Sequence, residues 1–187
     1  MKKYFLTMLA ALCGTAMIAK ADLQFEAGPL YAIGDEDESW GLDLGAGLYF
    51  EHHTSFLASA LMARYMYIGD IDTETLSIST TANYHILGAD YRLYIPMLGD
   101  QSLQGFVTGT VGAARTNASA STLLGGISST DWGLAWGVGG GLLWKPVPNF
   151  GVQVGYTYLG LDEPSIDGFS LGEGSLHLVR FGGVFRF

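Results

Sequence analysis

Seven charged residues sit inside stretches that otherwise alternate between large apolar and small side chains: Glu26, Asp43, Arg64, Asp90, Arg92, Arg180 and Arg186. Such a set can form ion pairs or line an ion path. Isolated charges in a narrow enclosure are costly, so opposite signs should interleave. Pairing Phe50 with Ser55 across a short turn places Asp43 and Arg64 diagonally on adjacent strands, within side-chain reach. Closure of the last segment onto the first places Glu26 and Arg180 similarly. Two readings stay open: a salt-bridge network that plugs the enclosure, or a gated ion path.

His52-His53-Thr54-Ser55 offers a histidine beside a hydroxyl. Glu51 is the one acid fixed near them, and neighbours along a strand point apart. A triad is recognised by geometry, so no catalytic residue is assigned. His85 and His177 share no metal-ligand spacing. Acids crowd three further segments: Asp35-Glu36-Asp37-Glu38, then Asp70, Asp72 and Glu74, then Asp162, Glu163, Asp167 and Glu173. Carboxylate oxygens take hard cations, which makes Ca²⁺ or Mg²⁺ a candidate loop partner. Solvated hydrophilic loops are the alternative, since nothing has the spacing of a calcium loop. No cofactor or metal site is assigned.

The elements that position these residues begin after a leader. Lys2 and Lys3 precede an apolar stretch from Tyr4 to Ile18, and Ala19-Lys20-Ala21 has the small-x-small pattern of a signal cleavage site. Residues 1–21 therefore read as a signal peptide and 22–187 as one domain. Cys13 lies in the leader, so the domain has no disulfide or thiolate site. Cleavage removes three lysines, leaving six basic against 18 acidic residues, a net charge of 6 − 18 = −12. That balance excludes a nucleic-acid partner, which requires a basic surface.

The 27 glycines oppose a helical bundle. The clearest element, Asp131–Lys145, puts Trp132, Leu134, Trp136, Val138, Gly140, Leu142 and Trp144 on one face. Its other face is nearly bare: Gly133, Ala135, Gly137, Gly139, Gly141 and, at its end, Leu143. A bulky apolar face backed by a small one suits a narrow barrel with lipid outside. Trp132 and Trp144 are about 40 Å apart along a strand. Tilted by about 40°, that path rises roughly 30 Å, near the ~25 Å apolar band between two aromatic girdles. Trp40, Trp132, Trp144, Tyr156 and Tyr158 are the expected girdle residues.

Seven more segments alternate: Asp22–Ile33, Ser39–Phe50, Ser55–Tyr67, one ending at Ile95, the glycine-rich Leu103–Ala113, Phe150–Leu159 and Ser175–Phe187. Turns at Glu51–Thr54, Pro96–Ser102 and Pro146–Asn149 are short. Connections at Gly34–Glu38, Ile68–Glu74, Ala114–Thr130 and Gly160–Gly174 are mostly longer. The expected fold is an all-β, eight-stranded antiparallel up-and-down transmembrane β-barrel with short periplasmic turns.

The leader, the alternation and the ending Phe181-Gly-Gly-Val-Phe-Arg-Phe187 resemble the small outer-membrane β-barrel family of the OmpA/OmpX and opacity-protein type. The resemblance implies location in the outer membrane and contact with its lipid. It also implies that Phe181, Phe185 and Phe187 form the C-terminal signal read by the barrel-assembly machinery. The expected role is structural or surface-interacting, in adhesion or envelope integrity, with loops offered to cations or host-surface ligands. A narrow pore or small-molecule conduit is the alternative; a lipid-modifying enzyme ranks below both.

Overall fold

The computed structural model describes residues 18–34, 37–52, 57–75, 78–97, 102–122, 125–162, 165–166, 169–170 and 174–187. Alternation makes strands of nearly all of them. In chain order they are β1 Ile18–Ile33, β2 Glu38–His52, β3 Ala58–Thr75, β4 Ile78–Pro96, β5 Leu103–Thr122, β6 Gly125–Val147 and β7 Phe150–Leu161. A two-residue pair, β8 Ser165–Ile166 and β9 Phe169–Ser170, precedes β10 Ser175–Arg186. β1 to β7 and β10 form a closed barrel in which every neighbour is antiparallel and β10 closes on β1.

The registers fix the barrel's size. Starting from Ile33, paired residues run His177, Tyr158, Val138, Gly109, Tyr91, Leu61 and Leu48, and return to β1 at Leu23. The stagger is 33 − 23 = 10 residues. With eight strands it tilts each by about 40° and gives a radius of about 8 Å, room for side chains and little else.

The two faces separate as the alternation requires. Outside stand Leu23, Phe25, Leu44, Leu61, Leu87, Val111, Leu134, Val138 and Val154, each between 40% and 65% exposed. So continuous an apolar exterior is far larger than water-facing proteins tolerate. The glycine-rich fifth segment resolves with Gln104, Phe106, Thr108 and Thr110 inward, and Val107 and Val111 outward.

Three connections differ from expectation. Ile68–Glu74 and the described residues of Ala114–Thr130 are strand rather than loop: β3 pairs β4 out to Thr75–Ile78, and β5 pairs β6 out to Thr122–Gly125. Polar ladders hold these extensions where apolar alternation has ended. Asn83 Nδ2 donates to Asp70 at 3.2 Å, Asn117 Nδ2 to Asn83 at 2.9 Å, and Thr130 Oγ1 to Asn117 at 3.0 Å, crossing four strands. Pro146 lies in β6, at an irregularity between Trp144 and Val147, and the turn shrinks to Pro148 and Asn149. Proline is tolerated at such a bulge because the ladder needs no donor there. The β2–β3 register is Phe50 with Ser59, not Ser55.

Candidate functional site in the barrel lumen

Inward side chains fall into three layers. Nearest the β6–β7 turn, here the lower end, lie Tyr49, Ala58, Ala60, Met62, Tyr94, Phe106, Leu143 and Val184. Phe106 occupies the space left by the bare face of β6: a Cβ on Gly141 would meet its ring at 2.7 Å, and one on Gly155 at 3.1 Å. At the upper end Leu30, Met66, Ile68, Tyr84, Ile86, Leu159, Leu176 and Leu178 form a second apolar layer, all at 2% exposure or less.

Between them lies the charge cluster. Glu26 accepts hydrogen bonds from Arg64 Nη2 at 2.7 Å, Arg92 Nη1 at 2.6 Å, Gln153 Nε2 at 2.9 Å and Gln24 Nε2 at 2.8 Å. Arg64 also pairs with Asp43, and its Nε lies 2.6 Å from Asp90. Asp90 accepts from Thr110 Oγ1 at 2.5 Å. Arg180 donates to Thr157 at 2.7 Å and lies 3.6 Å from Asp90 and 3.8 Å from Asp43. Glu26 and Arg180 are not the pair expected, because β1 meets β10 with Leu30 opposite Arg180 and Val184 opposite Glu26. Arg186 sits lower: its Nε donates to Gln24 at 2.8 Å and its guanidinium stacks 3.6 Å over the Tyr49 ring.

All seven charged residues are at most 7% exposed. Six of the seven form the ion-pair network, in which each carboxylate touches at least two arginines; Arg186 is met by Gln24 and the Tyr49 ring instead. The alternation puts Gln24, Gln153 and Thr157 on the inward face but does not join them to the network, and it leaves the facing of Thr110 open.

The tilt gives each residue a height, with about 2.5 Å of rise per residue and about 3 Å per strand step. Trp40, Tyr67, His85, Trp136, Tyr158 and His177 then form an upper outward ring roughly 19–24 Å above Leu23, and Trp144, Phe50 and Phe150 a lower ring near its level. Tyr156 lies below the upper ring, its hydroxyl bonded to His177 Nδ1. Trp132 stands roughly 7 Å above the ring. Phe181, Phe185 and Phe187 face outward at 45%, 44% and 72% exposure. Ala19 and Ala21 fall in β1.

Of the remaining candidates, His52 ends β2, while His53, Thr54 and Ser55 lie outside the described residues, as do Asp35, Glu36, Glu163, Asp167 and Glu173. Asp70, Asp72 and Glu74 belong to β3 rather than a loop. Among the described residues no group of three or more His, Cys, Asp or Glu side chains is arranged to hold a metal.

No protein-family model matches the chain, and no curated protein matches it in sequence. Solved structures do. The attachment invasion locus protein Ail of Yersinia pestis matches with a TM-score of 0.53 at 17% identity, over 89% of this chain and 97% of that one. The same protein in complex with the heparin analogue sucrose octasulfate gives 0.51 at 16% identity, over 89% and 97%. Neisserial surface protein A gives 0.57 at 16% identity, over 89% and 95%. The chain therefore has the fold of the small eight-stranded outer-membrane β-barrels.

Proposed function

We propose that the chain is an integral outer-membrane protein with a closed lumen and a surface-interaction role, made after a leader is removed behind Ala21. The exposed apolar band and its aromatic rings, about 20–25 Å apart, match the hydrocarbon layer a barrel spans. The lumen, packed with ion pairs between two apolar layers, supports a structural barrel over a pore.

One observation carries the surface role: the strands are unequal. β2 pairs β3 only up to Ile68, and β7 pairs β6 only up to Ala135. The β3–β6 sheet continues past both limits and stands above the paired ends of β1, β2, β7 and β10 as a four-stranded blade. Its edges are closed where they begin: Asp37 accepts the Asp72 N–H at 3.0 Å and Asp162 accepts the Leu134 N–H at 2.8 Å. The Asp72 amide holds the exposed Asp37 carboxyl below its ordinary pKa. Above those caps the blade offers Ser, Thr, Asn and backbone groups to a partner. Ail is known in complex with a heparin analogue. Here Asp37, Asp70, Asp72, Asp131 and Asp162 make the upper end acidic, which favours a neutral or basic surface partner over that polyanion.

The test replaces residues 119–128 with Asn-Gly, leaving Ala118 and Ser129 as the last pair across a two-residue turn. The shortened protein should insert normally, and cells carrying it should lose adhesion to host-matrix surfaces that the parent supports. Equal adhesion by both contradicts the blade's role.

A further inference from the structure

Residues 22–187 hold six Lys and Arg residues. Arg64, Arg92, Arg180 and Arg186 are buried in the lumen and Lys145 lines its lower mouth. Arg115 alone is outward and exposed. In a domain carrying three times as many acidic residues as basic ones, the position of that one outward cation is informative.

Arg115 belongs to a cross-strand row. It pairs with His85 on β4 and with Trp132 on β6, and His85 pairs in turn with Tyr67 on β3. The His85 ring lies 5.0 Å from Tyr67, and its Nδ1 shares a 2.8 Å hydrogen bond with the Tyr65 hydroxyl. Where the phenol O–H donates to Nδ1, the ring proton sits on Nε2 and gives the row a second donor. Trp132 is 66% exposed at the end of the row.

The row's height selects its ligand. Arg115 lies roughly 27 Å above Leu23, between the upper aromatic ring and Trp132, just beyond the ~25 Å apolar band and so at headgroup depth. A guanidinium binds phosphate through a two-pronged fork, and Tyr and Trp rings favour this wet–dry boundary. Their faces also pack on sugar rings. We propose that Tyr67, His85, Arg115 and Trp132 form a binding site for the phosphomonoester of an outer-leaflet glycolipid. The site rests on the membrane reading above, since only that reading brings headgroups to this height.

The test uses folded protein in octyl glucoside micelles, with native mass spectrometry measuring retention of three probes. These are a glucosamine lipid carrying phosphomonoesters, the same lipid dephosphorylated, and phosphatidylglycerol. The phosphorylated glycolipid should bind the parent at least tenfold more tightly than either other probe. Arg115→Gln should weaken it about tenfold, Arg115→Lys less, and His85→Phe a few-fold. Equal binding of the dephosphorylated lipid or of phosphatidylglycerol overturns the site, as does unchanged binding by Arg115→Gln. Insertion of the parent into lipid vesicles, read as a heat-dependent gel mobility, separates the two failures. A parent that does not insert contradicts the membrane reading. One that inserts and binds all probes alike contradicts only the site.

Discussion

Glu26 and Arg64 meet at 2.7 Å although β2 runs between their strands. The residue that β2 contributes to that row is Gly45, opposite Glu26 on one side and Arg64 on the other. The ion pair crosses above a position with no side chain. A Cβ there would meet Met62 Cε at 2.9 Å and Arg64 Nη2 at 3.6 Å. Gly45→Ala displaces mainly the flexible thioether end and should cost about 1 kcal/mol or less. Gly45→Leu wedges between the charges and should cost about 3 kcal/mol or more, the range for breaking a buried pair. Urea titration in lipid vesicles measures both; a leucine variant as stable as the alanine one would show that the crossing is not needed.

Arg64 is the hub, touching Glu26, Asp43 and Asp90. Arg64→Met should lower stability by about 3–5 kcal/mol, because carboxylates are left buried and short of a cation. Adding Asp43→Asn should return about 1–2 kcal/mol of that loss, since the two residues share one network. A cycle by the same titration with near-zero coupling would mean that water already screens these charges.

The inward charges were legible because each sits at the small-residue phase of an alternating segment, and phase alone sets which face a side chain takes. Their partners were not, because partner choice depends on register. The Phe50–Ser55 register was off by four residues, yet Asp43 stayed two positions from Arg64's opposite, so that pair survived the error. Glu26 and Arg180 had no such margin. The blade was hidden for another reason. Thr73 to Thr81 and Asn117 to Thr130 are polar on their described outer face, so they read as loop until the Asp70–Asn83–Asn117–Thr130 ladder is seen across strands.

Topology is open to direct labelling, since residues 22–187 contain no cysteine. Thr130 and Asn149 are both exposed, at opposite ends of β6 and the turn that follows it. A membrane-impermeant maleimide applied to intact cells should label Thr130→Cys and spare Asn149→Cys until the cells are lysed. The reverse order would place the blade in the periplasm.

The closed lumen is the central claim, and planar-bilayer recording addresses it most directly. Leu30, Met66, Ile86, Leu159 and Leu178 cap the charge cluster above, and Tyr49, Tyr94, Phe106 and Leu143 cap it below. An eight-stranded barrel of about 8 Å radius has an interior just wide enough for side chains to fill. The folded parent protein, inserted at high copy, should therefore give no steady conductance steps at any holding potential. Reproducible open steps whose ion selectivity changes with Arg64→Met would contradict the account and mark the cluster as the lining of a pore.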